Sequence, residues 1–284
     1  MDIENLTDGD LEAFLNCEDK VVLLKDIKVG QASDKFSLGF RVFDEALNKG
    51  VKEGDLIIIS GRSGEGKTTF AQTLTYNFCK TGVPCLWFSY EVSLRELNRK
   101  FEEMEIKDFY EVAVPEKNTT GEIEWVSAKI KEGWARYATK IVFIDHIDYL
   151  VPKNCRSSDN EQQNLKRIAT ELKELAINLK IVIITMAHVK KIDNKKEPEL
   201  YDIGYSAGIF QLADLVFMVS REKIPRRAIN ENEGDLFTQN SIVKIVKNRE
   251  TGILKFIKLR YTNGKLLETD NTKRDFNDRQ FGQD

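Results

Sequence analysis

Short apolar runs recur along the chain from about residue 37, and each is apolar on consecutive positions. A strand that is covered on both faces needs such a run, whereas a half-exposed strand alternates apolar and polar side chains. Five runs fit this description: 55–60, 84–89, 141–144, 181–184 and 215–219. They predict five buried strands, and the first of them enters a glycine-rich turn at Gly61.

Longer stretches with helical spacing lie between these runs. They cover 67–81, 93–104, 121–138 and 161–179. Capping boxes, in which a serine precedes a glutamate by three residues, mark two helix starts: Ser93 with Glu96, and Ser158 with Glu161. Strands that alternate with helices predict an α/β fold with a mainly parallel sheet flanked by helices.

The last part of the pattern is different. Two apolar segments, 242–247 and 254–261, are separated by a short polar turn at 248–252. This spacing is typical of a β-hairpin. We therefore predict that a C-terminal hairpin extends the parallel sheet.

The composition is that of a soluble globular protein, since 41% of the 284 residues are hydrophobic, 31% are charged and the formal net charge is -3. No run approaches the roughly 20 apolar residues of a membrane span. The acidic first 20 residues do not resemble a signal peptide. We expect no secretion and no membrane contact, and a location in the cytoplasm, a nucleoid-like compartment or an organelle matrix.

Charge divides the chain into three parts. Residues 1–30 hold eight acidic residues and three lysines, with Leu11, Phe14 and Leu15 as a small apolar face. We predict an acidic N-terminal arm over 1–30, which is either a docking segment or a loosely packed helix. The α/β domain is predicted over 31–268 and a polar tail over 269–284.

The turn after the first strand has the chemistry of a phosphate site. It fits the pattern G-x-x-x-x-G-K-[ST] between a strand and a helix, and this motif binds phosphates through backbone N–H groups and the helix N-terminus. We predict that Lys67 reaches the outer phosphates of ATP and that Thr68 holds Mg²⁺. The predicted binding residues are Gly61, Arg62, Ser63, Gly64, Glu65, Gly66, Lys67, Thr68 and Thr69.

Hydrolysis also needs a carboxylate for the metal and a group that activates water. Asp145 directly follows the third predicted strand, so it is the candidate Mg²⁺ ligand, with Asp148 as an alternative. Glu91 follows the second strand and is the candidate general base. His188 follows the fourth strand, where it could sense the γ-phosphate.

Residues 37 to about 268 resemble the DnaB-like replicative helicases, a family with the RecA-like P-loop fold that includes phage primase-helicases and the mitochondrial helicase. Glu91 matches the catalytic glutamate, Asp145-His146 resembles the end of Walker B in the phage branch, and His188 matches the phosphate sensor of that branch. Residues 202–214 resemble the fourth motif, with Phe210 where the family usually carries arginine.

The resemblance implies an ATP-hydrolysing 5'–3' DNA helicase that works as a hexameric ring during replication. Lys247-Asn248-Arg249 resembles the K-x-R whose arginine reaches the ATP of the neighbouring subunit. The implied partners are single-stranded DNA, further copies of the chain, and a primase or helicase loader. An acidic arm, and no primase-like or DnaB-type domain, precedes the core, so we expect an isolated helicase domain, a short form or a relative with another task.

Two basic segments are candidate nucleic-acid contacts. Residues 150–160 include Arg156, and residues 189–203 include Lys190, Lys191, Lys195 and Lys196. In a ring these charges would form a basic channel for single strands. The alternative is that the lysines only solubilise a loop.

Two other functions remain open on sequence. A RecA-, RadA- or KaiC-like ATPase, such as a filament-forming recombinase, would share the phosphate site. A non-hydrolysing nucleotide-binding accessory protein would share the fold without the catalytic groups.

Overall fold

The elements of the computed structural model follow the alternation seen in the sequence. The structure describes residues 33–104, 112–115, 122–152, 158–188, 207–224 and 236–269, without the side chains of 158–161 and 207. In chain order the elements are β1 (Lys35–Phe36), α1 (Arg41–Ala46), β2 (Val51–Lys52), β3 (Leu56–Gly61), α2 (Lys67–Lys80), β4 (Cys85–Ser89), α3 (Leu94–Glu103), β5 (Val112–Ala113), α4 (Ile123–Tyr137), β6 (Ile141–Asp145), a 3-10 helix (Ile147–Leu150), α5 (Ser158–Leu179), β7 (Val182–His188), α6 (Ala207–Leu212), β8 (Leu215–Lys223), β9 (Phe237–Asn248), β10 (Phe256–Thr262) and β11 (Lys265–Glu268). All of them belong to one unit, Asp34–Asp284.

Nine of the strands form one sheet in the order β11-β10-β9-β8-β3-β7-β6-β4-β5. The strands from β8 to β5 in that order are parallel to one another. Strands β9 to β11 continue the sheet in antiparallel fashion. The predicted α/β class, the mainly parallel sheet and the C-terminal hairpin extension are therefore confirmed.

The parallel strands are apolar on consecutive positions because both faces of the sheet are covered. On β3, Ile57 and Ile59 pack with α1, α2 and α3 on one face. Leu56 and Ile58 point to the other face and pack with α4, α5 and α6. No helix in the described ranges combines the length and apolarity needed to cross a bilayer.

Local signals in the sequence determine where the helices begin. Helix α2 starts at Lys67 directly after Gly66, whose φ of 94° favours glycine. Helix α3 is capped by Ser93, whose side chain accepts a hydrogen bond from the backbone N–H of Glu96, as the capping box predicts. Helix α5 begins at Ser158, three residues before the predicted start.

Several differences from the sequence prediction concern short or late elements. The pattern missed β11 and the two-stranded sheet of β1 and β2. It also missed β5 and the 3-10 helix, which are too short to show a period. Strands β6 and β7 end later than predicted, so Asp145 and His188 are their last residues and do not follow them.

An aromatic group in the core offers a test of the packing. The ring of Phe217 on β8 is fully buried, 5.3 Å from the Phe43 ring and 5.4 Å from the Phe70 ring. We expect Phe217→Ala to lower the free energy of unfolding by about 3–5 kcal/mol, because it leaves a cavity. Urea unfolding measures this, with Tyr137→Ala as the control, since Tyr137 is 57% exposed and its loss should cost within about 0.5 kcal/mol. Equal losses for both variants would contradict this packing.

Candidate functional site

Four parallel strands bring their polar ends together at one edge of the sheet, which we call the carboxyl edge. The register pairs Gly61 with His188 and Ser89 with Asp145. Because β3, β7, β6 and β4 are adjacent, the phosphate loop, His188, Asp145 and Glu91 come from four neighbouring strand ends. Ligand sites of open α/β sheets lie at this edge.

The predicted phosphate loop has the shape that its motif requires. Gly64 and Gly66 have φ angles of 76° and 94°, and a Cβ at either would meet no other described atom within 4 Å. The loop leads into α2, a 14-residue helix whose N-terminus adds a positive dipole end. The ammonium of Lys67 donates to the carbonyl oxygens of Gly61 and Arg62, both at 3.0 Å. This cationic, open concavity matches a phosphate group.

The remaining residues of the loop have different environments. Ser63 is exposed, and Arg62 and Thr69 are half-buried. Glu65 is buried and accepts a hydrogen bond from the backbone N–H of Arg221. Glu65 therefore attaches the loop to β8, an anchoring role that the motif alone does not predict.

Thr68 and Asp145, the two predicted Mg²⁺ ligands, lie side by side. The hydroxyl of Thr68 donates to Oδ2 of Asp145 at 2.9 Å, and the Asp145 side chain is almost fully buried. A hydroxyl and a carboxylate offer the oxygen ligands that Mg²⁺ takes together with nucleotide phosphates. The donor set fits that ion.

Glu91 contacts both histidines of the chain. Its Oε1 lies 3.2 Å from Nε2 of His146 and 3.4 Å from Nε2 of His188. The rings of His146 and His188 are T-shaped, with centroids 4.3 Å apart. Nδ1 of His146 lies 3.0 Å from Oδ2 of Asp148, and Nδ1 of His188 lies 3.2 Å from Nζ of Lys67. The predicted base, the predicted sensor and the P-loop lysine are thus in one continuous set of contacts.

Burial and charge shift the pKa values of this site. Burial lowers the pKa of Lys67, against the opposing effect of Glu91, Asp145 and Asp148. Burial raises the pKa of Asp145, while the hydrogen bond from Thr68 lowers it. Burial, followed by the charge of Lys67, lowers the pKa of His188, which favours its neutral form. Perturbed values grouped in this way are typical of functional sites.

The sequence pointed to His146 only as part of Walker B, and its contact with Glu91 was not predicted. A closer look at the sequence could have suggested it, because the chain has only two histidines, His146 and His188, and both come after predicted parallel strands. Asp148, the alternative Mg²⁺ ligand, lies past β6 in the 3-10 helix and comes close to His146 from there.

Lys247 and Arg249 lie at the opposite edge of the sheet, the amino edge. Leu215 at the start of β8 pairs with Asn248, whereas Met218 further along pairs with the β3 residue Ser60 next to the phosphate loop. At about 3.3 Å per residue, the backbone of Arg249 is roughly 15 Å from the loop along the strands. Arg249 donates to Oδ1 of Asp214 at 3.2 Å and to the carbonyl of Gln211 at 2.6 Å. Lys247 also donates to the carbonyl of Gln211, at 3.1 Å.

Asp214 connects several groups at the amino edge. Its Oδ2 accepts from the backbone N–H of Leu56 at 2.9 Å and from the ammonium of Lys173 at 2.5 Å. Asp55 is buried beside it and accepts from the backbone N–H of Lys52. Burial raises the pKa of Asp55 from 3.8 to about 6, against the hydrogen bond from Lys52.

The candidate nucleic-acid residues fall outside the described ranges. These are Arg156, Lys190, Lys191, Lys195 and Lys196. Phe210 is described and is 6% exposed, packed in the core with α5 and β8. The residue that replaces the family arginine is therefore a core side chain.

Comparisons with known proteins agree on one family. A family model described as DnaB-like helicase C terminal domain matches residues 36–108 and 103–266. A probable replicative DNA helicase of Trieres chinensis is 28% identical over 248 residues, which cover 77% of this chain and 54% of that protein. The replicative DNA helicase DnaB of Pasteurella multocida is 25% identical over 268 residues, covering 82% of this chain and 56% of that protein. The chain thus spans about half the length of these relatives.

Solved structures show the same fold. A DnaB-like replicative helicase, studied with its interactions with primase, has a TM-score of 0.69 at 19% identity, covering 87% of this chain and 65% of that one. A second solved structure, an ATPase domain, has a TM-score of 0.68 at 19% identity, covering 85% of this chain and 94% of that one. These matches agree with the predicted RecA-like architecture.

The buried carboxyl of Asp55 predicts a pH dependence of stability. Its folded pKa is about 6 and its ordinary value is 3.8, so the folded protein binds the proton more tightly and its stability falls as pH rises between these values. We expect this to cost the wild type roughly 2 kcal/mol by pH 7 relative to pH 4, because the unfolded carboxyl is already about half ionised at pH 4. Asp55→Asn keeps an acceptor for the backbone N–H of Lys52 but cannot ionise, so it should remove this part of the pH dependence of stability. Urea unfolding at both pH values measures it, and identical profiles for the two proteins would contradict the assignment.

Proposed function

The chain belongs to the DnaB-like helicase C-terminal domain family, and we propose that it is the motor domain of an ATP-dependent DNA helicase. In this proposal it works as a ring hexamer, moves 5'–3' on single-stranded DNA and serves DNA replication. The family match and the replicative helicases among its relatives support this assignment. The geometry of the two sheet edges supports the mechanism.

ATP is bound at the carboxyl edge, with its outer phosphates in the loop 61–68. Lys67 now donates to two backbone carbonyls, and the phosphates replace these as stronger, charged acceptors. Thr68 and Asp145 hold Mg²⁺, which when bound neutralises charge on the β- and γ-phosphates. Glu65 keeps the loop attached to β8 while the phosphates enter.

Glu91 acts as the general base that orients and deprotonates the attacking water. Glu91 is exposed, so solvent water can reach its carboxylate. His188 lies between Lys67 and Glu91, so it contacts both the phosphate-binding group and the base. We assign it the role of γ-phosphate sensor, which passes the state of the nucleotide to residues 189–203.

The position of Arg249 is the single observation that carries the mechanism. Its guanidinium is hydrogen-bonded at the amino edge, and the phosphate loop of the same chain is at the carboxyl edge. An arginine that completes catalysis must therefore come from a second copy, in a heterologous contact that closes into a ring. Such a finger contributes about 10³–10⁵ to the rate of phosphoryl transfer. Lys247, which shares the carbonyl of Gln211 with Arg249, positions it.

DNA is bound by the basic segments that include Arg156 and the four lysines between 190 and 196. Six copies around a ring would line a channel with this charge, which suits a single-stranded phosphate backbone. The related helicase studied with primase supports a primase, or a loader, as a further partner.

Mixing inactive subunits tests catalysis across the interface. We expect Lys67→Ala and Arg249→Ala each to abolish steady-state ATPase. A mixture of equal amounts should regain activity, because roughly a quarter of the interfaces pair an intact loop with an intact finger. ATPase is measured after the two proteins have exchanged subunits.

The matched control mixes Lys67→Ala with Glu91→Gln. Lys67 and Glu91 both belong to the copy that holds the phosphates. Every interface in this mixture therefore lacks one of the two groups, and no recovery is expected. Absence of rescue in the Lys67→Ala and Arg249→Ala mixture, at any ratio that forms mixed rings, would show that Arg249 does not act on a neighbour.

A second prediction concerns DNA. We expect Lys190→Glu with Lys191→Glu to weaken single-strand binding and to reduce the slope of log affinity against log salt by about 1 or 2, since each phosphate contact releases a counterion. The control is Lys80→Glu with Lys131→Glu, an equal change in charge at two exposed helix positions. Titration with labelled oligonucleotide at several salt concentrations measures both, and equal slopes would reject the loop assignment.

A further inference from the structure

Glu91, His146 and His188 form a compact group of ligating atoms, which we call the His–Glu cluster. One oxygen of Glu91 and one nitrogen of each histidine all lie within 4.8 Å of one another. Two imidazoles and one carboxylate are a ligand set that proteins use for zinc. We propose that the nucleotide-free site binds one zinc ion through Glu91, His146 and His188.

The distances suit a tetrahedral ion. Zinc bonds of about 2.0–2.2 Å at the tetrahedral angle place neighbouring ligand atoms roughly 3.3 Å apart. The Glu91 oxygen lies 3.2 Å from Nε2 of His146 and 3.4 Å from Nε2 of His188. These two distances between ligand atoms already have the required length. The third distance, between the two histidine nitrogens, is at most 4.8 Å and would have to shorten to about 3.3 Å as the rings turn toward the ion. A water takes the fourth position.

Asp148 supplies the outer support that zinc-binding histidines use. Its Oδ2 lies 3.0 Å from Nδ1 of His146, but the angle is not that of a hydrogen bond, so this buried nitrogen has no hydrogen-bond partner among the described residues. When the ring turns toward an ion, a proton on Nδ1 can point to the carboxylate and leave the Nε2 lone pair for the metal. Without an ion, each ring nitrogen of His146 lies near a carboxylate oxygen, one from Glu91 and one from Asp148. A cation between His146 and Glu91 satisfies both contacts at once.

The local charge favours a cation despite the nearby ammonium. Lys67 carries one positive charge, whereas Glu91, Asp145, Asp148 and Glu65 surround it with carboxylates. Mg²⁺ does not compete for the cluster, because it prefers oxygen ligands, while imidazole suits zinc. The Mg²⁺ ligands Thr68 and Asp145 take no part in the cluster.

Zinc binding has a consequence for the nucleotide. When Nε2 of His188 binds the ion, its proton moves to Nδ1, and the ammonium of Lys67 must leave that nitrogen, 3.2 Å away. The same ion would occupy the Glu91 oxygen that lies between the two histidines, and Glu91 is the base of the proposed mechanism. Bound zinc should therefore block hydrolysis. This last step rests on the proposed function, whereas zinc binding itself does not.

Cobalt and zinc titrations of the full chain, without nucleotide and in excess Mg²⁺, test the proposal. Co²⁺ reports its own geometry, because four-coordinate Co²⁺ absorbs visible light far more strongly than the hexa-aqua ion. We expect one Co²⁺ per chain with the four-coordinate spectrum, displaced by one equivalent of Zn²⁺. Because the chain has only two histidines, ¹⁵N-histidine NMR should show both Nε2 signals shifting on addition of Zn²⁺. Unshifted histidine signals, or only the weak spectrum of octahedral Co²⁺, would overturn the proposal.

Variants identify the ligands. His146→Gln and His188→Gln should each lower Zn²⁺ affinity by at least about tenfold, with circular dichroism to verify that they remain folded. The control is Cys17→Ser with Cys155→Ser, which removes two of the four cysteines as soft ligands and should leave the spectrum unchanged. Loss of the spectrum in the cysteine control, or its retention in both histidine variants, would place the ion elsewhere.

ATP provides the last arm of the test. ATPase is measured in excess Mg²⁺ with and without one equivalent of Zn²⁺ bound to the chain, and zinc should lower the turnover. Unchanged turnover with the zinc site filled would overturn this block of hydrolysis. Since the spectrum requires no hydrolysis, a failure of the proposed helicase activity is separate from a failure of zinc binding.

Discussion

The parallel pairing of β3, β7, β6 and β4 is the constraint on which the site depends. Each pair is held in one register, and a slip of one residue would turn every side chain to the other face of the sheet. With this register, Gly61, His188, Asp145 and Glu91 reach the same edge. The apolar residues that fill both faces therefore also determine the geometry of the polar group, although they never touch a ligand.

Much of this arrangement could be predicted from the sequence. The phosphate loop is a local motif, so its strand, turn and helix are visible in one stretch of residues. Asp145 and His188 were found because each is a polar residue that comes after a predicted buried strand, and parallel strands end at a common edge. The order of the strands was not needed for that step, because all parallel strands contribute to the same edge.

The rest depends on contacts between residues that are distant in sequence. In the sequence Glu65 is one variable position of the loop motif, and only the structure shows that it accepts a hydrogen bond from the backbone N–H of Arg221. The approach of His146 to Glu91 joins the segment after β6 to the turn after β4, and no spacing rule connects these two positions. Short elements such as β5 and β11 carry too few residues for a period, so tertiary packing alone defines them.

One carboxylate at the amino edge joins the start of β3 to Arg249. Asp214 accepts from the backbone of Leu56, where the strand that leads to the phosphate loop begins, and also from Arg249. Lys173 ties the same carboxylate to the long helix α5. The far end of the same strand carries the phosphate loop, so Asp214 is one strand away from the loop and in direct contact with the guanidinium. In the mechanism proposed above, this path would connect the nucleotide of one copy to the arginine that it offers to the next.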